Sequence, residues 1–168
     1  MLWGFSDANW GGDLDDRKST TAYIIFLGDN PISWRTRKQK VVARSSTEAE
    51  YRALATTASD IAWIKSLLDE LGLKLREPPL LLCDNVGATQ LSLNHVIHSR
   101  MKHIAIDLYF VHDFVQRGHL RVAHVHTDDQ LADLLTKPLA RPRFTLLRDK
   151  IHVADGTSIL RGRIRKST

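Results

Sequence analysis

Apolar residues open the chain in a short run, Leu2 to Ala8, which "GGDLDD" breaks before "TTAYIIFLG", rich in β-branched and aromatic residues, carries the chain to a turn at "DNP". A third extended run, "ISWRTRKQKVVAR", follows that turn. Three strands joined by short turns predict an antiparallel meander. From Ser46 the spacing changes to steps of three or four, through Leu54, Ala58, Ile61, Ile64, Leu68 and Leu71, until Gly72 stops it. That pattern predicts one long amphipathic helix.

After "REPP", the fully apolar "LLLCD" suits a strand buried on both faces, followed by a short helix from Val86 to Leu93. In "MKHIAIDLYFVHDFVQRG", Ile104, Leu108, Val111 and Val115 fall at helical spacing and predict a second long helix ending at Gly118. "LRVAHVH" reads as a fifth strand, "TDDQLADLLTK" as a helix stopped by Pro138, and "RPRFTLLRDKIHV" as a last helix. Hairpins first and crossover helices later imply an α/β fold, a mixed sheet covered by helices. One domain is expected over residues 1–153, with 154–168 as an unpacked tail.

Bulk properties narrow the class. A chain of 168 residues with 43% apolar composition can bury the core of one ordinary domain, and a monomer is expected. Lys and Arg total 24 against 19 Asp and Glu, a formal charge of +5 and a pI near 9.6, a mild basic excess that suits a polyanionic partner. Cys83 stands alone, so no internal disulfide forms, and the histidines are not joined to cysteines at zinc-finger spacing; a reducing intracellular setting, cytoplasm or nucleus, is expected. No stretch reaches the roughly 18 apolar residues of a membrane span, and "MLWGFSDANW" lacks the form of a signal peptide, so no membrane partner is expected.

The acidic residues carry the candidate chemistry. Asp7 ends the first strand and Asp84 ends "LLLCD", each where a central strand gives out. Each taken singly also reads as a turn or helix cap. In "SSTEAEYRAL" two glutamates sit two residues apart, and helical angle separates them. With Leu54 at zero and roughly 100° per residue, the apolar stripe runs from about −80° to +40°; Glu50 falls near −40°, inside it, and Glu48 near 120°, outside. Glu48 also fits a Ser-x-x-Glu capping box with Ser45. A charged Glu50 on the buried side costs several kcal/mol (~2 to 7 for an unpaired polar group, more for a charge) unless something compensates it.

In "HTDDQLAD", Thr127 and Gln130 match the capping-box spacing and Asp128 and Asp129 fall in the first turn, whereas Asp133 lies beyond it. Asp7, Glu50, Asp84 and Asp133, from four separate elements and all hard oxygen donors, are what paired Mg²⁺ or Mn²⁺ ions need. Metals held about 3.5 to 4 Å apart activate water at one ion and stabilise the leaving oxygen of a phosphodiester at the other.

At these residues the sequence resembles the ribonuclease H domain at the C-terminal end of copia-type (Pseudoviridae) retrotransposon polyproteins. The matching motifs are "GFSDANWGGDLDDRKSTTAYIIFLG", "ISWRTRKQKVVARSSTEAEYRAL", "LLLCDN", "HSRMKHIAID" and "DQLADLLTKPL", in that order. The resemblance implies a ribonuclease H-like fold with a five-stranded mixed sheet, antiparallel over its first three strands and parallel over the last two. It implies an endonuclease with two Mg²⁺ ions, Mn²⁺ as an alternative, that cuts the RNA strand of an RNA–DNA hybrid during reverse transcription and leaves a 3′-hydroxyl and a 5′-phosphate. The family's catalytic Asp, Glu, Asp, Asp carry onto Asp7, Glu50, Asp84 and Asp133. The expected partners are the hybrid and the reverse transcriptase portion of the parent polyprotein. Asn9 and Ala22 depart from the family's commoner Asp and Gly, and Ala105 from an acid.

Many ribonucleases H use a mobile histidine in the loop before the last catalytic Asp. His126, seven residues before Asp133, is the candidate, with His124 behind it. Ser45 and Ser46 stand where relatives place polar side chains in the hybrid's minor groove, and Asn85 is either a substrate contact or a cap. "WRTRKQK", with Arg35 and Lys38, and "HSRMKH", with Arg100, Lys102 and His103, are the candidate phosphate-tracking groups; a solvated basic face is the competing reading. Two alternatives to the nuclease remain: a catalytically silent or co-opted nucleic-acid-binding module, and DNA strand transfer of the integrase kind.

Overall fold

The computed structural model describes residues 1–94 and 104–152. The predicted meander is β1 (Leu2–Asn9), β2 (Thr20–Leu27) and β3 (Asn30–Lys38), paired antiparallel, with Asp7 of β1 opposite Ala22 of β2. On the far side of β1, β4 (Leu80–Cys83) and then β5 (Arg121–His124) add in parallel, giving the order β3-β2-β1-β4-β5. This is the ribonuclease H-like sheet that the sequence predicts. Its centre, β1, has an antiparallel neighbour on one side and a parallel one on the other.

Strand alternation divides the core in two. Leu2, Tyr23, Ile25, Leu81 and Cys83 face α1 (Ser46–Glu70) and α3 (Ala105–Gln116). Phe5, Ile24 and Phe26 point to the opposite side, against Leu131, Ala132 and Leu147 of α5 (Arg141–Lys150). A sheet covered on both faces explains why β2 reads as an almost unbroken apolar run.

Helix α1 buries the predicted stripe Leu54, Ala58, Ile61, Ile64 and Leu68, while Leu71 lies just past its last turn and is 66% exposed. Near its start it also buries Ala49 and Ala53 against Ala8 and Ala43, small residues that let helix and β1 approach closely. The short α2 (Val86–Leu93) closes on the same end of α1 through Gly87; a Cβ there would lie 3.1 Å from the side chain of Thr47.

Two stretches differ from expectation. Strand β3 stops at Lys38 rather than continuing toward Arg44. The helix expected over "TDDQLADLLTK" is broken into a 3₁₀ turn, Thr127–Asp129, and the four-residue α4 (Asp133–Thr136). The cause is Gln130, which is fully buried: its Nε2 donates to the Ser6 carbonyl at 2.9 Å and its Oε1 accepts from the Ala132 amide at 3.2 Å. The side chain takes an amide the helix would use, and the Thr127–Gln130 capping box does not form. Among the described residues no helix is long and apolar enough to cross a membrane.

Candidate active site

Asp7 lies near the end of β1 and Asp84 is the first residue after β4. Because β1 and β4 are adjacent and parallel, both carboxylates emerge at the same end of the sheet, beside the strand where antiparallel pairing gives way to parallel. Glu50 reaches this end from the second turn of α1, and Asp133 from the first residue of α4. The structure therefore brings together the four carboxylates singled out in the sequence.

Two halves can be distinguished. In one, carboxylate oxygens of Glu50 and Asp84 lie with the Cys83 sulfur within 4.8 Å of one another. The Thr127 hydroxyl donates to Asp84 Oδ2 at 3.1 Å and Gln130 Nε2 to Oδ1 at 3.3 Å, so both oxygens of Asp84 are oriented by neutral donors. In the other half, Lys137 Nζ lies 2.6 Å from Asp133 Oδ1 and 3.2 Å from Asp7 Oδ1. The Thr136 hydroxyl donates to Asp7 Oδ2, and Arg143 Nη2 stands 3.6 Å from Asp133 Oδ2.

Burial sets the electrostatics. Asp7, Asp133 and Glu50 are 0%, 4% and 7% exposed. Burial, reinforced by the charges of Asp7 and Asp84, pushes Glu50 up to about 9, against a hydrogen bond from the Ala8 amide. Asp7 is raised as well, first by burial and then by Asp133 and Asp84, although Thr136 and Lys137 oppose the shift. Burial and the nearby Glu50 push the Cys83 thiol up, which keeps it neutral and a poor ligand for a hard ion. Desolvated carboxylates that repel one another, offered through oxygen, form a donor set that fits Mg²⁺ or Mn²⁺.

Glu48 is also buried, at 2% exposure, but it has its own compensation. Arg52 donates to Oε1 through Nε at 3.1 Å and Nη2 at 3.0 Å, and the Arg44 amide donates to Oε2 at 2.9 Å. The Ser45 hydroxyl accepts from the Glu48 amide at 3.2 Å. The capping box thus forms with its return bond one residue upstream of the cap.

The other predicted site residues are spread around this end. Ser45 and Ser46 are exposed at the start of α1, Ser45 as its cap, and Asn85 caps α2 by accepting from the Ala88 amide at 2.9 Å. Arg35 is exposed on β3 and lines a cleft with Tyr23, Arg37, Arg52 and Asp107. Lys38 is ion-paired with Asp13 and, at 3.3 Å, with Asp16. His126 has an exposed side chain whose Nδ1 accepts from the Asp128 amide at 3.2 Å. His124 is also exposed, its Nε2 3.1 Å from the Asp84 carbonyl. Arg100, Lys102 and His103 lie outside the described residues.

Sequence reasoning missed Thr127, Gln130, Thr136, Lys137 and Arg143. Only Lys137 carried a local signal, since it follows Asp133 by four residues, a spacing at which opposite charges meet on a helix.

No protein-family model matches the chain. The retrovirus-related Pol polyprotein from transposon RE1 of Arabidopsis thaliana is 60% identical over 152 residues, 90% of this chain and 10% of that protein. The Pol polyprotein from transposon TNT 1-94 of Nicotiana tabacum is 38% identical over 151 residues, 90% of this chain and 11% of that protein. The chain spans about a tenth of the length of these relatives. Among solved structures, LC11-RNase H1 in complex with an RNA/DNA hybrid is similar with a TM-score of 0.58 at 13% identity, covering 81% of this chain and 94% of that one. RNase H1 of the archaeon Halobacterium salinarum gives 0.55 at 12% identity, over 80% and 93%.

Proposed function

Since the chain belongs with the copia-type retrotransposon Pol polyproteins, in the part of them that folds as a ribonuclease H domain, we propose that it is a metal-dependent endonuclease hydrolysing the RNA strand of RNA–DNA hybrids. The observation that supports this most is the convergence of Asp7, Glu50, Asp84 and Asp133, three of them buried, at the ends of two parallel strands. The integrase alternative shares the carboxylate chemistry, and the motifs that resemble the copia-type ribonuclease H domain speak against it.

When bound, two Mg²⁺ or Mn²⁺ ions supply Lewis acidity to the attacking water and to the leaving 3′ oxygen. Asp7, Glu50, Asp84 and Asp133 would hold them. Thr127 and Gln130 fix both oxygens of Asp84, so that carboxylate is oriented before any ion arrives. Glu50, raised to about 9 by burial and by its acidic neighbours, would hold an ion through its carboxylate form, so metal affinity would rise with pH. Ser45, Ser46 and Asn85, at the starts of α1 and α2, contact the hybrid's minor groove, where 2′-hydroxyls distinguish RNA. Arg35 follows a phosphate backbone, and His126, exposed on the loop before Asp133, assists proton transfer or product release. In its parent polyprotein the domain serves reverse transcription beside the polymerase.

Cleavage of a labelled RNA–DNA hybrid, single-stranded RNA and a DNA duplex, each with and without Mg²⁺, tests this. Metal-dependent cleavage confined to the hybrid, abolished by Asp84→Asn and Glu50→Gln, is the expected result. Tight hybrid binding with no cleavage in Mg²⁺ or Mn²⁺ would point instead to a silent binding module, and processing of DNA ends to strand transfer.

A further inference from the structure

The two halves of the carboxylate cluster are neutralised differently. Asp84 is held by the neutral donors Thr127 and Gln130, and Glu50 by the Ala8 amide. Asp7 and Asp133 share one ammonium, that of Lys137, at 3.2 and 2.6 Å. Thr136, its neighbour, takes the second oxygen of Asp7. The chain itself thus supplies a cation between two of its carboxylates, the position a divalent ion in that half would need. Resting on the metal-dependent reading above, we propose that Lys137 is a built-in counter-ion that occupies the Asp7–Asp133 position in the metal-free protein and must withdraw before a divalent cation binds there.

Three features support displacement rather than a permanent ion pair. The Lys137 side chain is 35% exposed, so its ammonium has an outward path to solvent. Its stem is four methylenes long and flexible, and an ammonium is a point charge with no fixed fork to lose. Lys137 also follows the last residue of α4, where the backbone has left the helix at φ −126°, ψ 142°, so its withdrawal breaks no helical turn. The two cation positions therefore fill unequally: the Glu50–Asp84 half loads with no side-chain cation in place, and the Asp7–Asp133 half loads only against Lys137. Two-metal occupancy then rises with a threshold in metal concentration, and the displaced ammonium is left beside the carboxylates, free to pair with a substrate phosphate.

Mn²⁺ titration by calorimetry, on the full chain and on Lys137→Gln, tests the proposal without reference to activity. The wild type should show one stronger and one weaker site, and Lys137→Gln should tighten the weaker site by roughly tenfold while lowering the melting temperature of the metal-free protein. Should the variant fail to fold, acetylation of Lys137 in the wild-type chain, read by peptide mass spectrometry, carries the test. Reactivity should rise severalfold when Mg²⁺ is added. Equal Mn²⁺ isotherms for both proteins, or an acetylation rate indifferent to Mg²⁺ that the wild type demonstrably binds, would overturn the role of Lys137 alone. Absence of any Mn²⁺ binding in either protein would overturn the metal-dependent reading with it.

Discussion

Gln130 holds Asp84 from the opposite core: its buried amide nitrogen bonds the Ser6 carbonyl of β1 at 2.9 Å and the Asp84 carboxylate at 3.3 Å. One side chain thereby ties the ends of two neighbouring strands and aims the proposed metal ligand Asp84. Replacing Gln130 by Leu should lower hybrid cleavage and Mg²⁺ affinity by about 10- to 100-fold, the usual effect of losing a group that orients a ligand. The unfolding free energy should fall by about 1 to 3 kcal/mol from the stranded Ser6 carbonyl. A drop in stability with unchanged metal affinity, measured by Mn²⁺ titration, would refute the positioning role.

Glu50 and Glu48 should separate cleanly on replacement. Glu48→Ala should leave the metal ligands in place yet destabilise the protein by about 1 to 3 kcal/mol, because Arg52 and the Arg44 amide lose their acceptor. Cleavage at low temperature should persist. Glu50→Gln should abolish cleavage without loss of stability. Chemical denaturation and a gel assay on the two variants check both statements.

Glu50 also makes metal-free stability depend on pH with a defined sign. Below its ordinary value of 4.5 the carboxyl is protonated in both folded and unfolded chains. As pH rises from there to about 9, the unfolded chain gives up that proton while the folded one keeps it. Folding stability should therefore fall across this window in the presence of chelator. Glu50→Gln, whose amide stands in for the neutral carboxyl, should flatten the profile and exceed the wild type by on the order of 1 to 3 kcal/mol at pH 7 to 8. Mg²⁺ should stabilise the wild type and not the variant.

The basic residues of β3 should not contribute equally to hybrid affinity. Arg35 and Lys38 line the same cleft, but the ammonium of Lys38 is already paired with Asp13 and Asp16. That pairing holds Asp13 down to about 2, with Lys38 first among the causes. Arg35→Ala should reduce the salt slope of hybrid binding by about one phosphate contact, and Lys38→Ala by clearly less. Binding measured over a range of salt concentrations decides between them.

Much of this could be read from the sequence because it rests on local periodicity. The strand ends at Asp7 and Asp84 and the helical angle of Glu50 follow from spacing alone, and the structure places these carboxylates at one end of the sheet. Gln130 was misread for the same reason. Its spacing from Thr127 imitates a local capping box, while its actual partner Ser6 is 124 residues away in the chain. The spacing of Lys137 from Asp133 signals one ion pair on a helix end, but nothing local tells that its ammonium also reaches Asp7, 130 residues earlier, and nothing local marks Arg143. Burial of Glu48 was unexpected too, since the angular argument considers one helix face and not the turn before it, where Arg44 supplies a donor.

Strand β3 is one of the two edges of the sheet, with a row of main-chain donors and acceptors that a second copy of the chain could pair with. Arg35, Arg37 and Lys38 run along that edge, all exposed, beside Trp34, which is 63% exposed. Like charges there repel an approaching identical strand, so the residues proposed to meet a nucleic acid would also keep copies of the domain from zipping together. Stripping them to weaken substrate binding should therefore bring a second phenotype, self-association through a bare and partly aromatic edge.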